Sequence, residues 1–239
     1  MPENQKVIHS LKGGHSTAFE FDSLKPSTPS GVDLLSEPCT FFHKKKEYQS
    51  LSNFWPCDIV LKTATGDVEY ASGEHCFHGQ KYAVLAERCS DPVRKQQLAA
   101  YAEIFSKNLG SNQKNLGSNQ KNGSSNQKNL SSIQTALEAK QKGGKKGFKL
   151  LQDELEIWNE ASIDVQRQIC TYKLEHYAEV QNDLKKSGNR ILLHPAMRCS
   201  DEKVHGKIWE GRAKWVDGKI EVIGQNRLGK IWMELRDRL

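Results

Sequence analysis

Short apolar runs separated by turn chemistry organise most of this chain. After the loop-forming stretch Lys25-Pro-Ser-Thr-Pro-Ser-Gly31, the run Thr40-Phe-Phe-His43 reads as a strand. A second strand is expected over Cys57–Leu61 and a third over Val68–Ala71, with Thr65-Gly-Asp67 as the turn between them. Ser72 then stands as the cap of a helix reaching about Cys89. Asp91-Pro92 opens another, with proline in its first turn, ending at about Phe105. Further on, Leu150–Trp158 and Ile163–Lys186 read as two helices. Val165, Ile169 and Tyr172 keep helical spacing in the second, and Gly188 is placed to end it. Trp215–Ile223 reads as a hairpin around Asp217-Gly218. Asn226 caps a last helix whose Leu228, Ile231, Trp232 and Leu235 form one apolar stripe, which places Trp232 in the core.

This periodicity fails in one place. Four heptads, Lys107–Gln113, Lys114–Gln120, Lys121–Gln127 and Lys128–Gln134, follow one another, the first two identical. A seven-residue period suggests a coiled coil, but Leu109, Leu116 and Leu130 stand among Gly, Asn and Ser, which disfavour helix. Such a tract buries too little apolar surface to offset its ordering entropy. Residues 106–147 are therefore expected to be a disordered, basic surface insertion, and residues 1–38 a flexible leader.

Charge is segregated along the chain. Of the net +6, residues 106–149 carry 9 Lys+Arg against 1 Asp+Glu, residues 150–184 carry 2 against 8, and residues 185–239 carry 13 against 7. A basic C-terminal part suits an anionic ligand or simply balances the acidic helix before it. The insertion could contact nucleic acid weakly, although a neutral repeat expansion accounts for it as well.

The length of 239 residues fits one domain with appendages. No apolar run of about 18 residues occurs, so no membrane helix is expected, and the polar start Met1–His15 has no apolar signal core. The six cysteines form no C-x-x-C pair, which argues against a zinc cluster. Reduced thiols and an intracellular location, cytoplasmic or nuclear, are the expectation.

Candidate chemistry concentrates in Ser72-Gly-Glu-His-Cys-Phe-His-Gly-Gln-Lys-Tyr82. On a helix Glu74, His78, Lys81 and Leu85 fall at about 0°, 40°, −20° and 20°, one narrow stripe. Glu74 and Lys81 could converge on one ligand, or the three polar groups could form a surface ladder. Burial beside Phe77 and Leu85 would favour a neutral Lys81 amine, while Glu74 would stabilise its ammonium. His75 and His78 stand at i, i+3, not the zincin spacing i, i+4, and no third ligand is indicated; neither a metal nor a cofactor is expected. Trp209, in a loop-like context, could stack on a base or ribose or serve as a buried anchor. Gly224–Gly229 is not a dinucleotide fingerprint.

With these residues in view, the sequence resembles the NADAR family, whose fold is also called YbiA-like. Leu51-Ser-Asn-Phe54 resembles its S-N-F entry, Ser72–Tyr82 its E-H-x-x-Q-A-x-K helix, Trp209-Glu-Gly211 its W-G-x-G loop, and Asn226–Arg236 its closing N-x-L-G-x-x-L-M-x-x-R helix. Trp158 falls where the family has a tryptophan before its long helix. The four motifs occur in order over residues 39–239, interrupted by the insertion. Departures are His78-Gly79 for Gln-Ala, Glu210 for a glycine, Leu193 where many members carry an acid, and a longer loop from Pro195 to Lys207.

The elements read above make an α+β, helix-rich architecture with a few short strands, and the resemblance implies a single YbiA-like domain. The resemblance also implies hydrolysis of an N-glycosidic bond to ribose. Family substrates are ADP-ribose on guanine of nucleic acid or nucleoside, and phosphoribosylamino-pyrimidine intermediates of riboflavin synthesis; both have a C1′–N bond to an amine. On this reading Glu74 handles charge or protons at C1′ and Lys81 exchanges with the base to form a Schiff base. Asn53, Phe54, His78, Trp158, Trp209, Gly211, Asn226 and Gly229 would surround the substrate. Arg212, Lys214 and Arg227 are candidates for its phosphates. A module that binds ADP-ribose or a nucleotide without turnover is the rival reading.

Overall fold

The computed structural model describes residues 31–42, 44–63, 66–107, 133–144 and 146–239. Among them the chain builds three two-stranded sheets and seven helices, an α+β architecture. Strands β2 (Pro56–Thr63) and β3 (Gly66–Ser72) form an antiparallel hairpin pairing Ile59 with Tyr70 and Thr63 with Gly66. Gly66 and Asp67, expected in the turn, already pair with Thr63 and Lys62, and residues 64–65 lie outside the described residues. The hairpin leads directly into α1 (Gly73–Arg88), where Ser72 Oγ accepts the His75 N–H, as expected of the cap, and also bonds His75 Nδ1 at 2.8 Å.

Helix α1 is the centre of the fold, and most of its residues are buried, polar ones included. Ile59 and Tyr70 of the hairpin, Leu98 of α2 (Pro92–Glu103) and Trp158, Val165 and Ile169 of α4 (Gln152–His176) surround it. Gly79 lets the hairpin approach, because a Cβ there would lie 2.5 Å from Tyr70 Cε1. Asp91 caps α2 with Oδ1 accepting from Val93 and Arg94, as expected. Arg94 grips Glu154 through two bonds of 2.7 Å, tying α2 to the start of α4.

Helix α4 is continuous where two helices were expected. Asn159-Glu-Ala-Ser162 contains neither Gly nor Pro, and nothing there interrupts the ladder. The break comes at Tyr177, at φ −127° and ψ 113°. Its hydroxyl donates to the Asp58 carbonyl at 2.6 Å and its ring meets Trp55 edge-on, so tertiary contacts hold the extended residue before α5 (Ala178–Ser187). Gly188 ends α5 at φ +53°.

Of the expected strand at 40–43, Thr40 lies in β1 (Cys39–Thr40), paired in parallel with β4 (Leu192–Leu193); Phe41 and Phe42 follow it outside any strand, and residue 43 lies outside the described residues. After α6 (Asp201–His205), β5 (Arg212–Val216) and β6 (Lys219–Ile223) form the expected hairpin. Asp217 and Gly218 both turn at positive φ, as a two-residue loop matching strand twist requires. Helix α7 (Arg227–Arg236) buries Leu228, Ile231, Trp232 and Leu235 against α4, α5 and β4. Trp232 is in the core, as its stripe implied, with Nε1 donating to the Leu51 carbonyl at 2.9 Å.

Two boundaries need correction. Residues 133–144, assigned to the insertion, are folded: Ile133 is buried, its N–H bonds the Ile104 carbonyl at 3.0 Å, and α3 (Ala136–Gly143) packs Ala139 against the core around α1. Thr135 caps α3, and the apolar Ile133 in the fourth heptad supplies an anchor that the repeat pattern concealed. Lys107 likewise pairs with Asp58 and Glu69. Residues 108–132, with most of the repeats, lie outside the described residues. The leader is also shorter than expected. Leu34 accepts from Ile220 N–H, Asp33 bridges Arg190, and Trp215 Nε1 donates to Glu37, so 31–38 belong to the domain. Residues 1–30 lie outside those described.

Candidate active site

Helix α1 carries the candidate residues Glu74, His78 and Lys81 on the stripe read from the sequence. Glu74 lies in its first turn, 9% exposed, with its N–H bonded to the Asn53 carbonyl at 2.9 Å. One turn on, His78 Nε2 bonds Glu74 Oε1 at 3.3 Å. A carboxylate accepts, so Nε2 carries the proton, and Nδ1 is buried without a partner among the described residues. Glu74, His78 and Lys81 are thus buried rather than laddered along a solvated face.

Lys81 is 7% exposed; its ammonium donates to the Gly143 carbonyl at the end of α3 and lies 4.8 Å above the Tyr82 ring. Burial pushes its pKa down to about 8. The balance left open by sequence falls on the side of desolvation, the one cause of the shift. Helix α3 comes this close because Gly143 has no side chain; a Cβ there would sit 2.0 Å from His78 Cγ.

Around this face lie aromatic groups. The Phe77 ring makes edge contacts with Trp158 at 4.9 Å, Trp209 at 5.4 Å and His78 at 5.5 Å. Phe54 lies beneath Lys140 Nζ of α3 at 5.4 Å. His194, which sequence reasoning did not single out, completes the wall. Its ring stacks on Phe41 at 5.5 Å, and the charges of Glu210, Lys140 and Glu74 all act on it. Its Nδ1 lies 3.3 Å from the Trp209 carbonyl oxygen, which ties the segment after β4 to the 209–211 loop. The sequence signal available for His194 is a titratable residue between the apolar run Ile191–Leu193 and Pro195.

Other expected site residues have structural partners. The Asn53 side chain forms a reciprocal amide pair with Gln166, at 2.8 and 3.0 Å. Asn226 is 2% exposed: Oδ1 accepts from His194 N–H, and Nδ2 donates to the Leu192 carbonyl. It stands at the cap position of α7 in a left-handed conformation, φ +45°, without capping the helix through its side chain. Gly229 gives α7 room against β4, since a Cβ would lie 2.1 Å from the Leu192 carbonyl oxygen. Gly211 is crowded by Val222 and Asn226 in the same way, and its N–H bonds the His194 carbonyl. These three residues hold the Trp209 loop, His194 and β4 together. Arg212 is committed to Asp201 and the carbonyls of Ala196 and Cys199, and Lys214 also pairs with Asp201. Neither is presented as a phosphate clamp. Arg227 Nε donates to Gln225, beside the Trp209 loop that its N–H reaches at the Ile208 carbonyl.

No three His, Cys, Asp or Glu side chains gather as metal ligands among the described residues, and the six cysteines are free thiols. No helix among the described residues is long and apolar enough to cross a membrane.

Helix α1 thus brings a buried acid and a buried amine onto one helix, with the rings of Phe77, Trp158 and Trp209 in contact beside them. The family model of the NADAR domain matches residues 40–239, and the chain belongs to the NADAR family. That family is associated with N-glycosidase activity, and membership supports a glycosidase-like role in general. Among solved structures the chain is similar to the NMR structure of the E. coli protein YbiA, at 16% identity over 90% of this chain and 92% of that one, with a TM-score of 0.44. Comparison with curated proteins gives no match.

Proposed function

We propose that this protein is an N-glycosidase that removes ADP-ribose from guanine in nucleic acid or nucleoside, with Glu74 and Lys81 as its reacting groups. The observation that carries the reading is the buried Lys81 amine. With its pKa near 8 it is partly neutral at physiological pH, and its hydrogen-bond partner is one carbonyl that can be released. A ribosylated amine opens its ring to a protonated imine at C1′. The Lys81 nitrogen adds to C1′, a proton moves from that nitrogen to the departing base nitrogen, and the C1′–base bond breaks. This leaves C1′ joined to Lys81 as an iminium, which water then hydrolyses. In this reading Glu74, in the first turn of α1, handles the proton.

The test is incubation with an ADP-ribosylated guanine oligonucleotide and, separately, with the phosphoribosylamino-pyrimidine, followed by mass spectrometry. Release of unmodified oligonucleotide and free ADP-ribose supports the reading. Turnover of the pyrimidine alone moves the substrate to the second class. Saturable binding of ADP-ribose with no product in either reaction makes the domain a binding module.

A further inference from the structure

Three lysines in succession stand in the turn that ends at Tyr48, and the fold fixes that turn against a second basic segment. Lys44, Lys45 and Lys46 are exposed and make no ion pair among the described residues. Tyr48 is buried and stands at φ +56°, a conformation that side chains other than asparagine, aspartate and histidine seldom adopt. Arg190 donates to its hydroxyl at 2.7 Å, and Lys186 Nζ lies 5.6 Å from its ring and 3.6 Å from Glu47. The lysine turn is therefore anchored on the C-terminal end of α5, where Lys185 is exposed as well.

The carboxylates beside these lysines are engaged. Glu47 pairs with Lys186, and Asp183 accepts from Ser50 Oγ at 2.6 Å. None of the exposed large apolar side chains lies on residues 44–50 or 185–190, so the face has charge without the apolar wedge that an interfacial helix inserts into lipid. Contacts lead from the turn to α1. Phe41 stacks on His194 at 5.5 Å, His194 Nδ1 lies 3.3 Å from the Trp209 carbonyl oxygen, and the Trp209 ring meets Phe77, next to His78, at 5.4 Å. Lys44 follows Phe41 by three residues, a stretch of chain that spans at most about 11 Å.

We propose that Lys44, Lys45 and Lys46, with Lys185 beside them, form a docking surface for the phosphate backbone of a single-stranded nucleic acid. The surface favours a strand over a free nucleoside as substrate; that part rests on the functional reading above, whereas the backbone contact does not. Successive exposed ammonium groups match a run of phosphates, and their binding releases counterions from the strand. A single strand is the form that fits, because a base reaching the buried Glu74 has to leave its stack.

The test uses the full chain and a fluorescein-labelled, unmodified single-stranded DNA oligonucleotide, with binding read by anisotropy across a range of salt. Lys44→Ser, Lys45→Ser and Lys46→Ser are combined in one variant. A second variant loses the same charge from exposed lysines on α2, α6 and β6, through Lys95→Ser, Lys203→Ser and Lys219→Ser. The first variant should bind about tenfold more weakly at about 0.1 M salt, with the slope of log K against log salt reduced by about 2, and the second should stay within about threefold of wild type. Equal loss in both variants, or none in the first, overturns the docking surface. Loss of binding to phosphatidylserine vesicles with DNA binding unchanged overturns it in favour of a membrane. In turnover, the first variant should lose kcat/KM on an ADP-ribosylated oligonucleotide and keep it on ADP-ribosylated guanosine; an equal fall on both overturns the role in substrate choice. A wild type that binds the strand through these lysines and releases no ADP-ribose overturns the functional reading and supports the surface.

Discussion

The ammonium of Lys81 donates to the carbonyl of Gly143, a residue 62 positions further along the chain. This contact joins the central helix to a segment that follows the heptad repeats. It also gives the amine a partner that carries no charge to hold its proton, so burial lowers its pKa.

The amine must be neutral to attack. Formation of the Lys81 adduct should therefore rise with pH through about 8 and level off above it. The ordinary lysine value is about 10.4, so an unperturbed amine would still be gaining reactivity far above that point. Single-turnover rates between pH 6 and about 10.5 check this. A rate still rising tenfold per unit beyond pH 9 would show that Lys81 is not perturbed, or is not the reacting amine.

Replacing Glu74 by Gln preserves a hydrogen-bond acceptor for His78 and should leave the fold intact. Turnover should fall by on the order of 10²–10⁴, the usual worth of a general acid or base. Circular dichroism and steady-state kinetics test this together.

At position 143 a methyl group would collide with the His78 ring. Gly143→Ala should displace α3 and cost about 1–3 kcal/mol of stability. Loss of activity in Gly143→Ala, beyond the loss of stability at the assay temperature, would mark the end of α3 as part of the site.

Residues 108–132 can be separated from the folded tail by deletion. Ile133 bonds Ile104 directly, so the two ends meet and a short linker can replace the segment. Doubling a loop costs only about 0.6 kcal/mol, so the melting temperature and activity on a free nucleoside should barely change. Ile133→Ala, which empties a core position, should cost about 2–4 kcal/mol. A reversed order of the two effects would contradict the placement of the insertion boundary.

What the sequence revealed was chiefly local. Ser72, Asp91 and the 217–218 turn are short-range signals, and each forms the feature it implies. The Glu74–His78–Lys81 stripe is a consequence of helical geometry, and so was legible as soon as the helix was. The parallel pairing of Cys39 with Leu192, and the positions of Gly143 and His194 at the site, depend on contacts between distant segments that leave no period. Arg212 illustrates the converse: its basic neighbourhood suggested a phosphate, but Asp201 and two carbonyls occupy it. Tyr177 broke a helix that propensity alone would have continued, through contacts with Asp58 and Trp55.

The most direct test is borohydride reduction of wild-type protein during turnover of an ADP-ribosylated guanine oligonucleotide, with the adduct located by peptide mass spectrometry. The account expects ribose carbon attached to Lys81, and no adduct in Lys81→Ala, with turnover lost. Product formation without any adduct in wild type, together with an active Lys81→Ala enzyme, would contradict it and leave direct attack by water, assisted by Glu74, as the mechanism.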